Sequence, residues 1–298
     1  MKKKIIFSTL IIITITLVIL GILYFNDNKK SDFSYTPITH EICDDDSCIY
    51  LLGSMHLGDD RINKIDDKII NLYNKSDILA VEVDADISDI DITSLMLNGN
   101  LDEIISPELN EKLINFSYDH ALFNYDTLKY MKLGYMYDYL SLLPYMEAGY
   151  MNEGVDSYLI SLAHDNNKKI VSLETIDDQL NLLLGYSDEF YIRQIEAIID
   201  NYEIAKSQSM YLYELYINGN YDALKNMIDL SSGLGIDEEE NQFNKAMYQD
   251  RNLLMTNKIV EFLDNNENVF MAVGCAHVIG KDGIIELLNN KYKITRIE

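Results

Sequence analysis

Apolar and polar residues change rhythm several times along this chain, and the changes divide it. Ile5 to Phe25 form a run of 21 residues without a charge, preceded by Lys2, Lys3 and Lys4. Cys48 to Ser54 (CIYLLGS) is a short, nearly continuous apolar stretch, as a strand buried on both faces requires. Asp59 and Asp60 are candidate helix caps, and Ile62, Ile65, Ile69, Leu72 and Tyr73 then share one helical face. Ile78 to Val83 (ILAVEV) predicts the next strand. Residues 94–165 carry helical spacing with few breakers, and Lys169 to Leu173 (KIVSL) interrupts them as a strand. Helical spacing resumes over 177–264, with a break expected at the Ser-Ser-Gly-Leu-Gly of 231–235. Val269 to Val273 predicts a strand, Lys281 to Leu288 a helix and Tyr292 to Ile297 a last strand.

The two ends of this pattern resemble each other. One reads strand, Gly53-Ser54-Met55-His56, loop, helix, strand; the other reads strand, Gly274-Cys275-Ala276-His277, loop, helix, strand. Strands alternating with helices predict an α/β fold with a mostly parallel central sheet and a large helical middle. Such sheets bind ligands beyond the C-terminal ends of their strands. His56, Glu82, Glu174 and His277 all follow apolar strands, so four strands are expected to deliver two imidazoles and two carboxylates to one rim.

The leading apolar run has the length of a spanning helix, about 20 residues. Its flanking lysines predict a cytoplasmic N-terminus and an extracytoplasmic main body. No small-x-small cleavage pattern follows it, which favours an uncleaved signal anchor over residues 1–26, with a cleaved signal peptide as the alternative. Residues 27–47 then form a polar tether and the start of a hairpin, and 48–298 the main domain. The protein has 298 residues with 24 Lys and Arg against 49 Asp and Glu, a formal charge of -25. An acidic balance of this size excludes nucleic acid as a partner, because neutralising phosphates takes clustered Lys and Arg. Cys43 and Cys48 flank a four-residue polar loop, either as a bridge across the hairpin base or as two thiols.

Two histidines in matched contexts, joined by strand-end glutamates, suit a divalent transition ion: Mn²⁺, Fe²⁺, Co²⁺ or Zn²⁺. A glycine three residues before each histidine is expected to let the backbone turn closely at the strand end. Asp84 shares the strand face of Glu82 and is a candidate ligand or a partner that orients an imidazole. His120 and His164 lie in helical, polar surroundings and read as surface residues. Cys275 follows a buried strand and reads as an inert thiol. There is no Gly-x-Ser-x-Gly, no His-Glu-x-x-His and no Gly-rich phosphate loop, so a serine-hydrolase elbow, a zincin and an NTPase are unsupported.

Six segments in this order resemble the TraB/PrgY/GumN family, which includes the animal TIKI proteins. They are IYLLGSMH (49–56), LAVEVD (79–84), EGVDSYL (153–159), SLETIDDQL (172–180), YQDRNLLMTNKI (248–259) and VFMAVGCAHVIGKDGIIELL (269–288). The resemblance implies a fold related to erythromycin esterase-like proteins, and a membrane-anchored metalloprotease using Mn²⁺ or Co²⁺. It carries His56 and His277 over as metal ligands, with Glu82 as the best carboxylate and Glu174 next, either as ligand or as general base. Arg251 and Asn252 would line the site, with Arg251 binding a substrate carboxylate or an oxyanion, or else salt-bridged to Asp84 or Asp250. Asp156 and Gln179 would support the ligands or cap helices.

The resulting expectation is a metal-dependent hydrolase, most simply a peptidase acting on a peptide or protein substrate through metal-activated water. Its rival is a non-enzymatic peptide-binding module, whose helical middle (Tyr130, Tyr135, Tyr137, Tyr139 and Tyr145) would supply an apolar recognition surface.

Overall fold

The computed structural model describes residues 33–85, 90–231 and 235–298. The expected anchor over 1–26 lies outside the described residues, as does most of the predicted break at 231–235. Among the described residues no helix is long and apolar enough to cross a membrane.

Eight strands form among the described residues: β1 (Thr39–Cys43), β2 (Cys48–Ser54), β3 (Leu57–Gly58), β4 (Ile78–Val81), β5 (Asn152–Glu153), β6 (Lys169–Ser172), β7 (Val269–Gly274) and β8 (Lys293–Ile297). Six of them make the main sheet in the order β6-β4-β7-β2-β1-β8. β6, β4, β7 and β2 are mutually parallel, and β1 runs antiparallel to both of its neighbours. β4 and β7 are buried along their whole lengths. Their uninterrupted apolar sequences are what the centre of a parallel sheet demands, because helices cover both faces.

The register brings the two similar ends together. β2 and β7 are adjacent, with Gly53 opposite Val273 and Ser54 opposite Gly274. The two Gly-x-x-His segments therefore leave the sheet side by side. At the other end of β2, Cys43 pairs with Cys48 across the hairpin, and the two form a disulfide. Asp44 closes the intervening loop by accepting the backbone N–H groups of Asp46 and Ser47 at 2.9 and 2.7 Å.

The helical middle differs from its expected form in detail. The first helix is Asp67–Lys75, capped by Asp66 and not by Asp59 or Asp60. Asp59 is instead committed to Arg61 and the Tyr213 hydroxyl. The residues before Ile284 form a loop, so the last helix is only Ile284–Leu288. One hydrophobic cluster packs around the sheet, and a second lies mostly among the helices of the middle, joined by Leu57 and by Ile90, Leu95, Leu101 and Ile105 before them. Tyr135 is buried in that second cluster, with Tyr137, Tyr139 and Tyr145 packed against it. Of the five tyrosines expected to form a recognition surface only Tyr130 is exposed, so the stretch is core and rim.

Candidate active site at the C-terminal strand ends

Each parallel strand of the main sheet delivers one polar side chain to the same rim. Glu82 follows β4 directly, Glu174 follows β6, His56 follows β2, and His277 lies in the short helix Cys275–Val278 after β7. The Glu174 backbone N–H donates to the Glu82 carbonyl at 3.0 Å, which fixes the two carboxylate-bearing ends to each other. Glu82, Glu174 and His277 are buried, and His56 is partly exposed.

Arg251 lies between them. Its Nη2–H donates to Glu82 Oε2 at 2.6 Å and to Glu174 Oε2 at 3.0 Å, its Nε–H to Glu174 Oε1 at 2.7 Å, and its Nη1–H to His277 Nε2 at 3.0 Å. The guanidinium thus holds one carboxylate through both of its oxygens, the geometry that a planar fork of donors provides. Glu82 Oε1 accepts from the Gly274 N–H at 2.7 Å, and Gln179 donates to Glu174 at 3.2 Å. Arg251 pairs with neither Asp84 nor Asp250: Asp250 holds Lys245, and Asp84 bonds His164 at 3.0 Å. Asp84 therefore orients neither rim histidine, which corrects the expectation drawn from its strand face.

Both rim histidines have Nδ1 fixed. His56 Nδ1 donates to Asp156 Oδ2 at 2.7 Å, and His277 Nδ1 donates to Asn252 Oδ1 at 2.7 Å. Asn252 is itself held by donating to the Asp282 carbonyl at 2.7 Å. The glycines allow the close approach expected of them without a left-handed turn: a Cβ on Gly53 would stand 3.1 Å from the Cys275 Cα. Neither Gly53 nor Gly274 has a positive φ. What Gly274 supplies is space, because a Cβ there would stand 3.3 Å from Glu82 Oε1, 3.5 Å from His277 Cδ2 and 3.7 Å from His56 Nε2. Gly154 acts similarly, since its Cβ would overlap the Met55 carbonyl oxygen and lie 2.5 Å from the His56 backbone. That close crossing sets the helix Val155–Asp165 where Asp156 reaches His56.

The electrostatics separate the two imidazoles. Burial pushes His56 down, but the Asp156 carboxylate, with a further contribution from Glu82, outweighs it and lifts His56 to about 9. Burial and the neighbouring Arg251 charge push His277 down to about 3. His277 is thus neutral, donating from Nδ1 and accepting at Nε2. Burial alone would raise Glu82, yet Arg251 and the two histidines bring it to about 2. Burial raises the Cys275 thiol to about 12, consistent with an inert core cysteine.

As a metal centre the same four donors agree in type but not in position. Their chemistry and their fixed Nδ1 atoms suit an ion, but their free atoms do not converge. Among the described residues, the one His/Cys/Asp/Glu group compact enough for an ion is Glu41, Cys43 and Cys48, and its cysteines are bridged. Arg251 holds Glu82, Glu174 and the His277 lone pair, and His56 carries a proton near neutrality. In this arrangement the residues do not fit a divalent ion, and no step is derived through one.

His120 departs from its expected place. It is not a surface residue: it stacks on Phe116 with ring centroids 3.9 Å apart, contacts Tyr202 at 4.2 Å and bonds Glu147 at 3.0 Å. His164 is exposed, as expected. Two members of the site are absent from the sequence expectation: Tyr248, with its ring 6.0 Å from that of His277, and the Gly274 N–H as a Glu82 partner. Nothing in the sequence marks a backbone donor, but Tyr248 stands four residues before Asn252, one helical turn away.

Together the fold and the rim define an α/β protein whose polar centre is assembled beyond the C-terminal ends of parallel strands. The model of the TraB/PrgY/gumN family matches residues 38–296, nearly the whole chain, and the protein belongs to that family. No curated protein matches the sequence, and no solved structure does.

Proposed function

We propose that this protein is a membrane-anchored, extracytoplasmic hydrolase that cleaves peptide bonds. The observation that carries the reading is the constellation of His56–Asp156, Glu82–Arg251–Glu174 and His277–Asn252 at one rim. The choice of a peptide substrate is supported by the likeness to the TIKI proteases, and the outside location by the Cys43–Cys48 bridge.

The residues divide the work by charge. The N–H groups of Arg251 are committed to Glu82, Glu174, His277 and the Met247 sulfur, so Arg251 acts on the oxyanion that develops as water adds to the carbonyl carbon through its positive charge. Glu82 is held anionic down to about pH 2, which makes it a poor proton acceptor, so it positions Arg251. Glu174 takes the proton from the attacking water. His56, protonated and oriented by Asp156, gives its proton to the departing nitrogen as the carbon–nitrogen bond breaks. His277 stays neutral and fixes the position of Arg251 Nη1.

A metal-dependent form is the second reading. It is favoured by the two fixed Nδ1 atoms, which leave Nε2 as the ligating position of each ring, although Arg251 occupies that of His277 in this arrangement. Mn²⁺ or Co²⁺, or else Zn²⁺ or Fe²⁺, held by His56, His277, Glu82 and Glu174 would supply Lewis acidity once Arg251 is drawn away.

The test incubates the full-length protein with a mixed peptide pool, with Mn²⁺ or with EDTA, and reads products by mass spectrometry. Cleavage in EDTA that falls about 10²–10⁴-fold in His56→Ala supports the Arg251-centred hydrolase. Cleavage only with Mn²⁺ selects the metal-dependent form. Intact peptides retained by the folded protein under both conditions would favour the binding module over either hydrolase.

A further inference from the structure

A second feature lies beside His277, on the Nδ1 side of its ring. The helix Glu238–Asn244 does not run straight into the helix Arg251–Asp264; a π-helical turn, Lys245–Asp250, joins them. Opposite this turn stands the loop that follows the second Gly-x-x-His segment. Between the two is a cavity of about 130 Å³, lined by Asn244, Tyr248, Gln249 and Asn252 on one side and by Ala276 and Lys281 among the residues of the other. At a share of about 30 Å³ per water, that is room for roughly four waters, about the size of one peptide unit with a small side chain.

The polar groups of this lining are sorted. Lys245 is committed to Asp250, and Asn252 to His277 and the Asp282 carbonyl. Lys281 stands beside Asp282 in the lining, so the remaining charges offset. Asn244, half-buried, and Gln249, exposed, are different: their side chains have no hydrogen-bond partner among the described residues and meet solvent at the cavity mouth, so a ligand can pair with them in place of water. They are five positions apart, which a regular α-helix places about 140° round its axis. A π turn closes its hydrogen bonds five residues on, so positions five apart fall on one wall. Single π turns inside helices are uncommon and recur at functional sites.

We infer that this cavity is a substrate subsite that takes an extended peptide segment, with Asn244 and Gln249 pairing with its backbone carbonyl and N–H groups. Each side-chain amide offers a donor and an acceptor, matching what one peptide unit presents. A charge-balanced lining does not select a phosphate or a carboxylate, and a small ester has no backbone N–H to satisfy both amides. The inference rests on the peptide reading above and supplies its mode of recognition. Through Asn252, which forms the cavity wall and orients His277, the bound segment lies one residue away from the centre. Asn244 and Gln249 bind the segment and take no part in the chemistry.

The test measures binding and cleavage separately. Immobilised full-length protein is offered a random hexapeptide pool and the same pool N-methylated at every backbone amide, and retention is read by mass spectrometry. The wild type should retain the unmodified pool about five- to tenfold better, the worth of one backbone hydrogen bond. In Asn244→Ala/Gln249→Ala the preference should vanish, and Asn244→Asp/Gln249→Glu, which keeps acceptors but loses the amide donors, should restore only part of it. Equal retention of both pools by the wild type, retention of neither, or a preference that survives the alanine variant while its circular dichroism is native would each overturn the subsite. Retention with the predicted preference but no products would leave the subsite standing and count against the hydrolase.

Discussion

His56 and His277 begin from nearly the same sequence context and end in opposite states. Each follows an apolar strand and a Gly-x-x step, and their strands are neighbours in the sheet. His56 meets a carboxylate on a helix that crosses close over its backbone at Gly154, and its proton is held to about 9. His277 meets a neutral amide at Nδ1 and a guanidinium at Nε2, and stays neutral down to about 3. Similar motifs place two buried imidazoles; burial disfavours the charge on both, and only His56 has a carboxylate that outweighs it, while Arg251 adds to the burial of His277. One imidazole that donates a proton and another that accepts hydrogen bonds can then divide the work of a single centre.

The strongest way to break this comparison is to remove the group that separates the two sides. Arg251→Ala leaves Glu82 and Glu174 buried without their partner, and the expected loss is about 3–5 kcal/mol of stability in denaturant melts. Arg251→Lys should recover part of that stability but not the two-oxygen hold on Glu174, so hydrolysis should remain low. A smaller effect, on the His56 side only, is expected of Gly154→Ala. The added methyl group meets the Met55 and His56 backbone, costing about 1–3 kcal/mol and pulling Asp156 from His56, while the His277–Asn252 pair is untouched.

Titration should sharpen the comparison with the smallest perturbation. A histidine raised in the folded state stabilises fully below its unfolded value of about 6.5, and the contribution is lost as pH rises through the folded value. For His56 that window runs from about 6.5 to about 9. His277 behaves oppositely: as pH falls from about 6.5 to about 3 the unfolded protein gains a proton the folded one refuses, and stability declines. Denaturant midpoints measured across pH should therefore decline on both sides of neutrality. His56→Gln should flatten the alkaline limb alone, and His277→Gln should flatten part of the acid limb alone.

Much of the site is legible in the sequence. Short apolar runs ending in polar residues identify β2, β4, β6 and β7, and the rule that ligands bind beyond parallel strand ends collects His56, Glu82, Glu174 and His277, which the structure places at one rim. Asp156 and Gln179 are expected as supporting groups, and they hold His56 and Glu174. What periodicity does not show is which residue occupies the middle. Arg251 comes from a helix 77 residues after Glu174, so its choice of Glu82 and Glu174 over Asp84 and Asp250 is a tertiary outcome. His120 escapes for the same reason: its polar neighbours in sequence give no sign of Phe116 and Tyr202 closing on its ring. The π turn breaks no local composition rule, so nothing in the spacing of 245–250 announces it.

The most direct measurement is the protonation of the two rings, read by long-range ¹⁵N–¹H NMR of histidine-labelled protein from pH 4 to pH 10. The Arg251-centred account predicts His56 doubly protonated at neutrality and titrating near 9, with His277 neutral throughout and its proton on Nδ1. Two imidazoles titrating together near 6.5, or both neutral at pH 7 with Nε2 lone pairs that Mn²⁺ broadens at once, would contradict it.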